Sequence, residues 1–306
     1  MIILRSGRLC VELARPGSFY RGSRFDWTGL IRQVTLDGRH KFCCDESQGG
    51  TGGTGLCNEF GIFTPIGYDE TIPGERFPKL GVGLLERVDT KPYAFHRPYP
   101  VQAFPMQVRT QHDEAILECE AVDCRGLAAR LEKRISVSDE TLLIEYSLEN
   151  SGQRELVTEE YAHNFLRIDD HDVGPGYHLR LAVPMGQGAW LENAGAVEHP
   201  DSLSWRKRPT GAFYHSVKEL PTETPSAWEL HHEPTGLWVR EETDVPWSAF
   251  SLYGTPAQIS PEAFVAIKVA PGQTYRWSRR YSFGCTDHKL RDSMRGDRAN
   301  TLSLAK

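Results

Sequence analysis

This 306-residue sequence has no long apolar run. Stretches such as Ala263–Ile267 fall far short of the ~20 residues that a membrane-spanning helix requires. It also has no excess of basic charge. Asp and Glu number 41 against 35 Lys and Arg, a net charge of −6, which excludes a nucleic-acid arm or a basic membrane-binding face as the main business. None of the seven cysteines falls in a Cys-x-x-Cys pair, although Cys43 and Cys44 are adjacent. That pattern suits reduced thiols in a cytoplasmic protein better than a disulfide framework. The opening residues Met1–Ser6 lack a basic flank followed by an apolar stretch, so no signal peptide is expected. Gly-x-Ser-x-Gly is absent, as is an EF-hand spacing. The glycine-rich segment 45–58 is a flexible loop by composition; it has no strand-to-helix context and is not closed by Gly-Lys-Ser/Thr, which counts against a phosphate cradle. No apolar stripe of helical period runs for ten or more residues, so a helix-rich α/β fold is excluded.

What is present is a period of two. Residues 141–149 read Thr-Leu-Leu-Ile-Glu-Tyr-Ser-Leu-Glu, with Leu142, Ile144, Tyr146 and Leu148 on one face of a strand. Similar runs occur at 103–110, 127–137, 157–168, 236–241, 247–253, 263–269 and 273–283, and many gaps are punctuated by Gly, Pro, Asn or Asp. Many antiparallel strands without a composition break predict an all-β fold, a large antiparallel β-sandwich. The expected organisation is a single sandwich domain over 1–285 and a polar C-terminal tail over 286–306.

Three segments carry a resemblance. Glu159-Glu160-Tyr161-Ala162-His163-Asn164-Phe165 presents a central histidine within an apolar and aromatic alternation. The C-terminal order runs from Gly236-Leu237-Trp238-Val239 through Trp247–Tyr253 and Ser260–Ile267 to Ala270-Pro271-Gly272-Gln273. Phe77-Pro78-Lys79-Leu80-Gly81 stands where a Pro-x-His-Gly-Phe segment is common in the family. Together they resemble the galactose mutarotase-like superfamily, the aldose 1-epimerases and hexose-6-phosphate 1-epimerases on a supersandwich, over most of residues 15–284. Two positions depart from the pattern. Lys79 and Leu80 replace the first histidine, and the nearest carboxylate to the expected glutamate is Glu262, at the predicted start of its strand, rather than a residue near Lys268.

The resemblance implies an isomerase of the aldose 1-epimerase (mutarotase) type acting on a small-molecule sugar or modified sugar, with no cofactor and no metal. Alternatives on the same fold are a carbohydrate-binding protein that has lost the chemistry and a polysaccharide lyase or glycosidase-related accessory protein. Mutarotation takes a proton from the anomeric hydroxyl and gives one to the ring oxygen, which calls for one imidazole and one carboxylate. His163 is the candidate acid, sharing a strand face with Tyr161, Phe165 and Arg167, and Glu262 the candidate base. Lys79 and His96 compete for the place of the missing histidine. Arg76, Arg167 and Asp69 are candidate substrate contacts, and Trp247 is a candidate stacking platform. Asp169-Asp170-His171-Asp172 and His231-His232-Glu233 are dense in metal-binding side chains. Their spacing reads instead as a charged turn and a hairpin end.

Overall fold

The computed structural model describes residues 1–47, 50–120, 122–181, 183–218, 220 and 227–286. All but the first residue of the expected tail 286–306 therefore lies outside the described residues. The described chain is all-β, with two large antiparallel sheets, a small three-stranded sheet and very little helix.

One large sheet has the order Ile2–Ser6, Leu9–Leu13, Ile31–Leu36, Leu56–Phe60, Leu156–Asn164, Gln258–Val269, Ala249–Thr255, Phe213–Val217, with the short strand His40–Lys41 beside Ile31–Leu36. The other is ten-stranded and is centred on the long strands Ala129–Ser138, Thr141–Asn150 and Thr274–Cys285. Apolar alternation drives both. Thr141–Asn150 buries Leu142, Ile144, Tyr146 and Leu148, its even positions. The two inner faces meet in one core, where Phe42 packs against Phe283 and Phe60 against Trp277 across the layers. The small sheet, Arg76–Lys79, Gly83–Glu86 and Val101–Ala103, packs its own aromatic cluster of Tyr68, Phe77 and Tyr99. No helix among the described residues is long and apolar enough to cross a membrane.

Several expected strands change bounds. The run 157–168 is a strand only to Asn164 and then turns through Ile168–Asp170, where Asp169 and Asp170 take positive φ. The run 103–110 is broken at Phe104 and Pro105, because proline has no N–H for the ladder. The strand expected at 263–269 starts earlier, at Gln258. Glu262 therefore stands well inside it, despite the proline at 261.

Two neighbours flank the strand Leu156–Asn164. Tyr161 pairs with Glu59 and His163 with Cys57 on one side, and Tyr161 pairs with Phe264 on the other. Successive side chains on a strand alternate between faces. Glu160 and Asn164 point to the ten-stranded sheet, where they bond to Arg279, Glu241 and Tyr281. Tyr161 and His163 point the other way, out of the sandwich and beneath the loop that carries Arg24.

Candidate active site

The outer face of this sheet forms the floor of a cavity of about 440 Å³. Period-two alternation on three adjacent strands supplies the floor: Tyr161 and His163 from one, Glu262 and Phe264 from the next, Tyr253 from the third. Ser251 pairs with Glu262 and Tyr253 with Ser260 in the intervening ladder. Phe63, Phe95, His96 and Tyr214 line the sides, and Glu46 and Thr51 approach from the glycine-rich loop. The lining is strongly aromatic with a few convergent polar groups, the usual make-up of a small-molecule site.

His163 and Glu262 meet at the floor, with Nε2 and Oε1 3.4 Å apart and both side chains about 95% buried. Phe165 stacks flat on the imidazole at 4.1 Å between ring centroids, and Phe25 and Tyr253 meet it edge-on. The Ser260 hydroxyl lies 3.1 Å from His163 Nδ1 and donates to Glu262 Oε1 at 3.0 Å, while accepting the Asn164 N–H at 2.8 Å. Burial pushes the Glu262 carboxyl up to about 8, although the Ser260 hydroxyl and the Arg24 charge oppose the rise. Burial also holds the His163 imidazole well below its ordinary range, and the nearby Arg24 charge adds to the effect. At neutral pH the pair is a neutral imidazole beside a carboxyl group that is mostly protonated.

Beside this pair lies a second buried cluster. Arg24 donates from Nε to Glu59 at 2.8 Å, from Nη2 to the Tyr161 hydroxyl at 3.0 Å and from Nη1 to Thr51 at 3.1 Å. The rings of Phe25 and Phe95 lie 4.5 and 4.3 Å from its guanidinium carbon. Glu59 also takes bonds from Lys79 Nζ at 3.2 Å and the Tyr161 hydroxyl at 2.8 Å. Burial pushes the Glu59 carboxyl up, but Lys79 and Arg24 outweigh it and keep the group below its ordinary value. Nothing in the loop sequence around Arg24 singled it out. Its partners come from residues 51, 59 and 161, which only the fold brings together.

Of the residues singled out in the sequence, His163, Glu262 and His96 line the cavity. Lys79 does not. It is buried in the wall, bonded to Glu59 and to the Tyr93 hydroxyl at 3.0 Å. Arg76 is exposed and bonds Gln102, and Asp69 is exposed on the turn Tyr68–Glu70. Arg167 turns away from His163 to pair with Asp172 at 3.0 Å. Trp247 is a core residue, stacked on Phe250 and donating to Thr243 at 2.9 Å. Lys268 is exposed beside Glu155. The glycine-rich loop folds around a carboxylate: Glu46 Oε2 accepts the N–H groups of Thr51, Gly52 and Gly53. Those amides are thus already occupied. In the acidic turn, Asp169 binds His40 at 2.7 Å and the Lys41 N–H at 2.8 Å. Among the described residues no group of three or more His, Cys, Asp or Glu side chains is placed to hold a metal.

No protein-family model matches the chain and no curated protein matches it. Solved structures do. A galactose mutarotase related enzyme from Lactobacillus acidophilus is 10% identical, covers 94% of this chain and 98% of its own, and has a TM-score of 0.56. The GalM/aldose epimerase homologue from C. elegans is 11% identical over 94% of this chain and 99% of its own, with a TM-score of 0.54. A galactose mutarotase-like protein from Clostridium acetobutylicum is 8% identical over 93% and 95%, with a TM-score of 0.57. The chain therefore has the galactose mutarotase-like fold over nearly its whole described length, at an identity that carries fold alone.

Proposed function

We propose that this protein is an aldose 1-epimerase-like isomerase, which opens and recloses the hemiacetal of a sugar bound in the aromatic cavity. One observation carries the reading: His163 and Glu262 converge 3.4 Å apart at the floor, both facing the cavity and both neutral in the resting state. The two oxygens that exchange protons in mutarotation are bonded to the same carbon. An acid and a base that converge on one point are what the reaction needs.

The sequence suggested His163 as acid and Glu262 as base. The resting protonation supports the opposite starting assignment. The Glu262 carboxyl protonates the ring oxygen while neutral His163 removes the anomeric proton through Nε2, which lies 3.4 Å from Glu262 Oε1 at the cavity floor. Rotation about C1–C2 and the reverse transfers close the other anomer, so acid and base swap at each half of the cycle. Each group supplies about 10²–10⁴-fold. The rings of Phe264 and Phe95 can hold the C–H faces of a sugar. Arg24 and His96 can bond its hydroxyls, since each Nη of Arg24 makes one bond among the described residues and carries a further N–H.

A carbohydrate-binding protein without catalysis is the second reading. It is favoured by Lys79, which stands at the place of a histidine in the resembling family yet is turned into the wall. Anomer exchange followed by NMR magnetisation transfer, on neutral, phosphorylated and acidic sugars, decides between them. Acceleration that disappears in His163→Ala and Glu262→Gln supports the isomerase. Ligand line-broadening without acceleration supports the binder.

A further inference from the structure

The two members of the acid/base pair share one hydrogen-bonding partner, Ser260. Its hydroxyl is fully buried and lies 3.1 Å from His163 Nδ1 and 3.0 Å from Glu262 Oε1. Ser260 and Glu262 sit two apart on the strand Gln258–Val269 and so share its outer face. A serine hydroxyl has one proton to give and two lone pairs. The Asn164 N–H takes one lone pair at 2.8 Å. One donation and one acceptance are left for His163 and Glu262, and two patterns satisfy both. In the first, His163 Nδ1–H donates to Ser260 and Ser260 donates to Glu262 Oε1. In the second, Glu262 Oε1–H donates to Ser260 and Ser260 donates to Nδ1. The first leaves Nε2 as a base toward the cavity. The second leaves Nε2–H as an acid there and Glu262 Oε2 as a base.

We propose that Ser260 is a proton relay between His163 Nδ1 and Glu262 Oε1, which keeps the pair neutral while the sugar ring is open. This deepens the isomerase reading and rests on it. Ring opening from the first pattern moves the anomeric proton to Nε2 and a proton from Oε2 to the ring oxygen. That leaves an imidazolium and a carboxylate. The relay then moves Nδ1–H to Ser260 Oγ as the Ser260 proton passes to Oε1. The result is a neutral imidazole with Nε2–H and a neutral carboxyl, the second pattern. Closure returns Nε2–H to the former anomeric oxygen and takes the hydroxyl proton of C5 or C4 onto Oε2, while the relay runs backward. Protons balance, and the hemiacetal C–O is the one bond between heavy atoms that is broken and remade.

The surroundings make neutrality matter. His163 is faced by Phe165, Phe25, Tyr161 and Tyr253. The charged or titratable groups around it are Glu262, Arg24, His96, Glu46 and those tyrosines. Among them the Arg24 guanidinium carries a fixed positive charge, and it disfavours an imidazolium. Separated charge is poorly supported in such a site.

The test is anomer exchange at saturating sugar in mixtures of H₂O and D₂O, comparing wild type with Ser260→Ala and Ser260→Thr. Wild type is expected to give a curved proton inventory, with more than one proton in flight. Ser260→Ala is expected to lose about 10²-fold in kcat, the lower end of what a positioned acid or base supplies, and to give a less curved inventory, that of the two protons exchanged with the sugar alone. Ser260→Thr, which keeps the hydroxyl, is expected to recover the curvature and most of the rate. Wild-type rate and curvature in Ser260→Ala overturn the relay and leave the isomerase reading standing. A linear inventory in wild type overturns it without any variant, which covers a Ser260→Ala chain that fails to fold. Wild type that accelerates no sugar overturns the isomerase reading itself, and the relay with it.

Discussion

Glu262→Gln should change how the protein's stability depends on pH. The Glu262 carboxyl has an ordinary value of 4.5 and is raised to about 8 by burial in the fold. Between those values the unfolded chain has released this proton and the folded chain has kept it. The folded state binds more protons, so stability falls as pH rises. Its contribution is fully present below 4.5 and is lost as pH passes through about 8. At about 1.4 kcal/mol per pH unit, the rise from 4.5 to about 8 caps the loss at about 5 kcal/mol. Glutamine keeps the shape, can still accept the Ser260 hydroxyl, and cannot ionise. Urea unfolding of wild type and Glu262→Gln at intervals from pH 5 to pH 9 measures the difference directly. The variant should gain on wild type by several kcal/mol across this range, most steeply between pH 5 and 8. A difference that is flat from pH 5 to pH 9 would refute the claim that the floor of the cavity holds this carboxyl protonated. The acid role assigned to it would fall as well.

Glu59→Gln leaves Arg24 and Lys79 buried together without their shared carboxylate. Urea unfolding should show a loss of about 3–5 kcal/mol, partly restored by adding Lys79→Met. Arg279→Met strands Glu160 and Glu241, both fully buried against that guanidinium. A loss of about 3–5 kcal/mol in urea unfolding at neutral pH is expected. Glu46→Ala frees the amides of Thr51, Gly52 and Gly53. Limited proteolysis should then cut near residues 50–53 much faster than in wild type, with about 1–3 kcal/mol lost in urea.

The long central strands were legible because each buries one face, and the alternation in Thr141–Asn150 is unbroken. The N-terminal strands Ile2–Ser6, Leu9–Leu13 and Ile31–Leu36 were not. They are short, and a register shift at Glu12/Leu13 interrupts the pleat. Pro261 hid the true start of the strand bearing Glu262. Its carbonyl accepts the Asn164 side chain at 2.6 Å, and the ladder continues through Leu252. At the site, His163 could be proposed because it is the central histidine of an alternating run that resembles the family strand, and Glu262 because it is the carboxylate nearest the place of the family's glutamate. Lys79 was a candidate substrate contact because it stands where the resembling family has its first histidine. Its partners Glu59 and Tyr93 lie 20 and 14 residues away and face it only through the fold. Arg24 sits in a loop without period, and its role is set by the cavity wall.

The strand Leu156–Asn164 ties the cavity to the core. Its outward residues Tyr161 and His163 belong to the site, and its inward residues Glu160 and Asn164 belong to a buried polar network. There Arg279 donates to both Glu160 and Glu241, Trp277 donates to Glu160, and Trp228 and Asn164 donate to Glu241. Well-packed apolar side chains would stabilise a sandwich core at least as well as such ions do. The network supplies something that apolar packing does not, which is a penalty for slippage. Because strand side chains alternate, sliding this strand by one residue would turn His163 toward Arg279 and Glu160 toward the aromatic cavity. Arg279 would then lose Glu160 and keep only Glu241, and Glu160 would face the aromatic rings of the cavity. An apolar run such as Leu-Val-Leu tolerates a slip far better than a strand whose two faces carry different charges. The ion pair inside the sandwich therefore fixes the register that sets His163 beside Glu262 on the outside.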